Sequence, residues 1–270
     1  MSQKNPIPPS EISSDKAFLR LLNVLNTLRE QCPWDKKQTM ESLRYLTIEE
    51  TYELSDAIMD GNLDEIKKEL GDVMMHLVFY ARIAEEQKAF NITDVLNGVC
   101  DKLINRHPHI YGDINVENEE EVKRNWEQIK LKEGKDKTVL GGVPVSLPSL
   151  VKAGRLQEKA RGVGFDWENK EQVWEKVEEE LAEFKSAYNN SSNLETNMEE
   201  AEAEFGDLLF SLVNYARFIK INPENALERT NKKFIHRFQH LEKRAKELGK
   251  NLSDMTLAEM DIYWNEAKSL

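Results

Sequence analysis

The chain has 270 residues, and its 37 Lys and Arg stand against 49 Asp and Glu for a net charge of −12. That balance excludes a surface built to track a nucleic-acid backbone or an anionic membrane, so any anionic ligand must be met by a few local cations. With only 12 Gly and 8 Pro an all-β sandwich or barrel is excluded too, and what remains is an all-α protein of one large domain or two compact ones.

Residues 1–14 are polar and Pro-containing, without the basic-then-apolar order of a signal peptide, and read as a mobile tail. No run approaches the ~18 apolar residues of a membrane span. Cys32 and Cys100 have neither metal-ligand spacing nor a disulfide framework, which points to a reducing, cytoplasmic setting. From Phe18 through Leu21, Leu22, Leu25 and Leu28 the apolar residues recur at three and four, the period of an amphipathic helix. Asp60-Gly61-Asn62 is a turn signal joining two antiparallel helices. The second of these carries the stripe Leu70, Val73, Met74, Leu77, Val78 and Ala81.

The second half repeats the first. Gly71-Asp72-Val73-Met74-Met75-His76-Leu77-Val78-Phe79-Tyr80-Ala81-Arg82 aligns with Gly206-Asp207-Leu208-Leu209-Phe210-Ser211-Leu212-Val213-Asn214-Tyr215-Ala216-Arg217. Upstream, Glu49-Glu50-x-x-Glu53 matches Glu179-Glu180-x-x-Glu183, and downstream Lys102/Arg106 with Trp126/Lys130 matches Lys233/Arg237 with Trp264/Lys268. An internal repeat of this length means tandem copies of one helical-bundle domain. The segments are a first domain over 15–135, a Gly- and Pro-bearing linker over 136–152 and a second domain over 153–270.

The chemistry resides in the acids. Glu50 and Glu53 share one helical face, as do Glu69 and Asp72, and both pairs stand about ten residues from Gly61 along the hairpin. The second hairpin, turning in Asn189–Asn193, does the same with Glu180/Glu183 and Glu204/Asp207. Single acid pairs are commonly solvated helix faces. Four carboxylates at one height repel one another, and a divalent cation resolves that repulsion. Oxygen-only donors favour Mg²⁺, or Mn²⁺, over zinc, and such a site suits a polyphosphate. A di-iron bundle wants Glu-x-x-His on two helices. His76 follows Asp72 by four and is Ser211 in the other copy, so that pattern is missing.

Lys102 with Arg106, and Lys233 with Arg237, are four apart and share a face fit to clamp phosphates. Trp126 and Trp264 are fit either to stack on a nucleobase or to cap a bundle core, with Lys130 and Lys268 one turn on. Asn214 lies two turns beyond Asp207, an amide able to bond a sugar or base edge where the first copy has Phe79. Lys176, one turn before Glu180, adds a further cation. The second copy is therefore the better equipped for a nucleotide.

With these residues the chain resembles MazG, a family of nucleoside triphosphate pyrophosphohydrolases in the all-α NTP pyrophosphatase superfamily. The resemblance covers both copies of Glu-Glu-x-x-Glu followed by Glu-x-x-Asp. It implies Mg²⁺-dependent hydrolysis of nucleoside or deoxynucleoside triphosphates to monophosphate and pyrophosphate by a homodimer, the second domain being the main catalytic one. It further implies a family-level role in nucleotide-pool sanitation. By position it makes Glu180, Glu183, Glu204 and Asp207 metal ligands, with Glu50, Glu53, Glu69 and Asp72 a lesser set. It makes Lys176, Lys233, Arg237 and Trp264 nucleotide contacts, and Asp207, Asn214 and Lys268, with Lys102, Arg106 and Trp126 in the first half, complete the candidate set. Glu179 and Glu180 are the candidate catalytic acids, Glu179 beside the ligands either as a base or as a group that orients them. Glu200 stands where relatives carry a Lys. Two competing readings are a narrower dUTP or phosphoribosyl-ATP pyrophosphohydrolase, and a helical module that binds nucleotide or a partner without turnover.

Overall fold

In a computed structural model residues 13–133, 138–189 and 194–269 are described, and among them every regular element is helical. Most of the expected tail (residues 1–12), the linker start at 136–137 and the second hairpin turn at 190–193 lie outside the described residues. The chain divides into two compact units, Met1–Asn115 and Val116–Leu270.

The first unit contains α1 (Ser14–Gln31), α2 (Met40–Asp60), α3 (Leu63–Glu86), α4 (Ile92–Arg106) and α5 (Pro108–Tyr111). Its centre is the α2/α3 hairpin. A capping box starts α2: Thr39 Oγ1 accepts from the Ser42 N–H at 3.1 Å, and Ser42 Oγ accepts from the Thr39 N–H at 2.8 Å. Gly61 ends it at φ 67°, a left-handed conformation that glycine adopts without a Cβ clash. Asn62 then caps α3 by accepting from the Asp64 and Glu65 N–H groups. The turn read from Asp60-Gly61-Asn62 is thus present. Leu43, Phe79 and Ile83 form the core, with Met40, Leu46 and Tyr80 packed around it. Arg29 stitches α1 to this hairpin. It bonds Glu86 on α3 at 2.9–3.0 Å and donates to the carbonyls of Asp35 and Gln38.

The second unit contains α6 (Glu119–Glu133), α7 (Ser149–Gly162), α8 (Lys170–Asn189), α9 (Leu194–Phe218), α10 (Pro223–Glu247) and α11 (Leu257–Glu266). The α8/α9 hairpin repeats α2/α3 at its centre, with α7 and α10 against it. Helix α6, placed by sequence within a first domain ending at 135, groups with this unit and packs on α7. Helical periodicity specifies which face is apolar and not which neighbour covers it. The duplication extends into the packing. Among the described residues Leu43 and Val173 are the largest fully buried side chains and are equivalent, as are the buried pairs Ala57/Ala187 and Val78/Val213. The register from α2 to α8 shifts by 130 residues and that from α3 to α9 by 135, so the second hairpin absorbs five extra residues around its turn.

Candidate functional site

Each hairpin gathers three carboxylates whose oxygens lie within 4.8 Å of one another: Glu50, Glu69 and Asp72 on the first, Glu180, Glu183 and Glu204 on the second. The fourth acid of each set, Glu53 on the first hairpin and Asp207 on the second, is exposed and stands just outside its trio; the two are not equivalent, Glu53 matching Glu183 and Asp207 matching Asp72. Both still act on them. Burial, then the charges of Asp72, Glu53 and Glu69, hold the Glu50 carboxyl above its ordinary value. Burial, then Glu183, Asp207 and Glu180, raise Glu204 likewise. An acid pushed upward by burial and by other acids is short of positive charge.

Burial sharpens the shortage. Glu69 is 3% exposed and Glu180 7% exposed, and an ionised carboxylate so placed needs a partner. Glu69 Oε1 accepts from Lys68 at 2.7 Å, while its Oε2 is buried with no hydrogen-bond partner. Glu180 is held by Lys176 at 2.8 Å, and the same ammonium reaches Glu179 at 2.9 Å. The cations thus come from opposite helices of the two hairpins. Sequence reasoning found Lys176 and missed Lys68; its adjacency to Glu69 was the available signal, and Ala203 at the equivalent place in α9 hid it.

Behind the first trio lies a second feature missed in the sequence. Thr47 Oγ1 is 3.0 Å from the Leu43 carbonyl, 2.8 Å from His76 Nδ1 and 2.6 Å from the Tyr80 hydroxyl. One hydroxyl hydrogen cannot serve three partners. The carbonyl can only accept, so Thr47 donates there and accepts from Tyr80 and from a protonated Nδ1. His76, 4% exposed, is thereby kept in one tautomer. Its counterparts are Val177, Ser211, whose Oγ donates to the Leu208 carbonyl at 2.8 Å, and Tyr215, which packs on Trp174.

The candidate nucleotide residues are only partly assembled. Arg237 and Trp264 meet, with the guanidinium 5.8 Å from the ring centre, and Phe234 packs edge-on to the same indole. Lys233, one turn before Arg237, is exposed, and Lys268 bonds Asn265 at 2.7 Å. Asn214 Oδ1 accepts from Arg217 at 2.8 and 3.1 Å, and Arg217 also pairs with Asp166. The Asn214 carbonyl oxygen is thus already engaged within the unit. In the first half Lys102 is exposed and Arg106 half-buried, both in the first unit, whereas Trp126 and Lys130 sit on α6 in the second. Sequence equivalence had grouped those four.

Hard oxygen donors, an orphaned buried carboxylate oxygen and acids raised by one another together fit a divalent cation of the Mg²⁺ or Mn²⁺ type. Among the described residues no helix is long and apolar enough to cross a membrane.

A family model described as the MazG nucleotide pyrophosphohydrolase domain matches the chain twice, over residues 38–111 and 168–242, each match spanning one hairpin and its trio. The chain is 44% identical over 255 residues to the nucleoside triphosphate pyrophosphohydrolase/pyrophosphatase MazG of Thermotoga maritima, covering 93% of this chain and 95% of that protein. It is 38% identical over 259 residues to the nucleoside triphosphate pyrophosphohydrolase of Escherichia coli K12, covering 92% and 96%. With the uncharacterized protein YabN of Bacillus subtilis it shares 47% identity over 260 residues, 96% of this chain and 52% of the other.

Proposed function

The chain belongs to the MazG nucleotide pyrophosphohydrolase family, and from that premise we propose that it hydrolyses nucleoside and deoxynucleoside triphosphates between the α and β phosphates, with Mg²⁺, at the second hairpin. The observation that carries the reading is the trio Glu180, Glu183 and Glu204, drawn from two helices to within 4.8 Å. A bound divalent ion supplies neutralisation of phosphate oxygens and a lowered pKa for water. Glu180 and Glu183 from α8 and Glu204 from α9 hold the ion, and Asp207 stands beside Glu204 to join them. Glu179, exposed and ion-paired to Lys176, takes the proton of the attacking water. Lys233 and Arg237 clamp the phosphate chain, and Trp264 offers its indole to the base. Water adds at one phosphorus of the α–β bridge, the bridging oxygen leaves with the other, and monophosphate and pyrophosphate result.

The first trio is the lesser site of the same kind. The working unit is a homodimer. Leu70, Met74 and Leu77 on α3, and their counterparts Phe205, Leu209 and Leu212 on α9, are each 40% exposed or more. Beside each stripe sits a helical glycine, Gly71 or Gly206, where an added Cβ would meet nothing within 4 Å. A mid-helix glycine costs roughly 1 kcal/mol against alanine. Keeping one in both copies makes sense where another helix approaches closely, and a second chain supplies it.

The purified chain with Mg²⁺ and a mixture of deoxynucleoside triphosphates should give monophosphate and pyrophosphate in equal amounts. Inorganic phosphate and nucleoside diphosphate as products would overturn the cleavage position.

A further inference from the structure

We propose that Lys176 is an exchangeable counter-ion of the second trio, which competes with a divalent cation for Glu180 and, once displaced, meets the phosphate chain of the incoming nucleotide. The proposal rests on the metal reading above.

Glu180 is nearly buried, and the ammonium of Lys176 lies 2.8 Å from one of its oxygens while bonding Glu179 at 2.9 Å. The lysine side chain is itself 35% exposed, so water screens it only in part. A divalent ion bound by Glu180, Glu183 and Glu204 needs the same carboxylate. Two like charges at that spacing repel by several times thermal energy even at an effective dielectric of about 20. The ammonium must therefore leave as the ion arrives. Its tether is one helical turn long, so it remains beside the site, facing whatever anion the ion brings in. Ion and triphosphate are thereby coupled: each removes an obstacle to the other, and linkage makes the effect reciprocal.

The first hairpin lacks this device. Leu46 stands at the position of Lys176 and packs against the Leu43, Phe79 and Ile83 core. The lysine there, Lys68, is 60% exposed and occupies one oxygen of Glu69, leaving the other unpartnered. Lys68 is as close to its carboxylate as Lys176 is, but its greater exposure lets water screen it, so it is the weaker obstacle to an entering cation.

The test is Mn²⁺ binding to the full chain by electron paramagnetic resonance, with the first trio silenced by Glu69→Gln and Asp72→Asn and folding checked by circular dichroism. In that background Lys176→Met should tighten Mn²⁺ about tenfold, the removal of one nearby unit charge. It should also reduce the tightening of Mn²⁺ that a non-hydrolysable α,β-methylene deoxyadenosine triphosphate produces when Lys176 is present, leaving only the part due to phosphate oxygens on the ion. Lys176→Arg, which keeps the charge, should bind Mn²⁺ no more tightly than the parent, a result that a merely structural role would not give. Mn²⁺ affinity unchanged or weakened in Lys176→Met, with the parent binding normally, overturns the exchange alone. Absence of Mn²⁺ binding in both parent and variant overturns the metal reading as well.

Discussion

The two hairpins are the same scaffold with the charge rearranged. Both start from a fully buried aliphatic, Leu43 or Val173, and both bring three carboxylates within 4.8 Å. In the first, the neutralising lysine is exposed on α3, and the α2 position equivalent to Lys176 is Leu46, packed against Leu43, Phe79 and Ile83. In the second, that α8 position is the lysine itself, and Ala203 replaces the α9 cation. Behind the trio the first copy has a hydrogen-bonded Thr47–His76–Tyr80 group, where the second has Val177 and Ser211. The difference teaches that the copies share the helices that carry the acids, while they differ in which three acids converge and in what balances them. On the exchange proposed above, the half-buried Lys176 has to move for a cation to enter the second trio, whereas the more exposed Lys68 hinders entry to the first less.

The largest expected effect breaks the comparison outright if the halves are ranked wrongly. Glu180→Gln or Asp207→Asn should reduce turnover about a thousandfold or more, since a lost ligand removes stabilisation realised at the transition state. Glu50→Gln and Asp72→Asn should reduce it far less in the same steady-state assay of pyrophosphate release. Equal loss from both pairs would make the first hairpin an equal partner, and an intact rate in either second-half variant would remove it from the ligand set.

A smaller effect separates the two apolar stripes. Replacing Leu209 or Met74 with Glu puts a charge on the face proposed to meet a second chain. Twofold symmetry counts each change twice, so at roughly 1.5 kcal/mol per buried side chain the dimer should weaken by about 3 kcal/mol, on the order of a hundredfold. Light scattering across a dilution series reads this directly. If only Leu209→Glu dissociates the protein, the interface belongs to the second hairpin, and if neither does, the exposed stripes have another purpose.

Much of this arrangement is legible in the residues. The tandem repeat, the turn at Gly61 and the level placement of the acids all follow from spacing, because helical periodicity fixes which side chains share a face. Spacing does not fix rotamers, and so four acids per hairpin were expected to converge where three do. Nor does it fix tertiary neighbours. Trp126 reads as a partner of Lys102 and Arg106, yet α6 packs with the second unit. Asn214 reads as a ligand for nucleotide, and its oxygen is taken by Arg217, an interaction between residues three apart whose geometry depends on Asp166 anchoring the arginine from the loop before α8. Lys68 was invisible because the repeat comparison directs attention to shared residues, and its interest lies in not being shared.

The smallest expected effect concerns the difference behind the trios. Burial holds the His76 imidazole below its ordinary value of 6.5, against a weaker upward pull from Asp72. The folded pKa is therefore lower than the unfolded one, so the contribution of neutral His76 is fully present above 6.5 and is lost as pH falls through the folded value. Ser211 gives the second hairpin no such dependence. The raised carboxyls Glu50 and Glu204 act in the opposite sense, stability falling as pH rises through their folded values, but one stands in each hairpin, so the buried imidazole is what the two do not share. Acidification from neutral pH should thus cost α3 more protection than α9 in hydrogen exchange corrected for intrinsic rates. His76→Asn, which keeps a donor near the Nδ1 position for Thr47 and removes the titration, should bring the two helices into step. If α3 and α9 lose protection together in the parent, or if the variant keeps the parent's disparity, the buried imidazole is not what makes the first hairpin sensitive to acid.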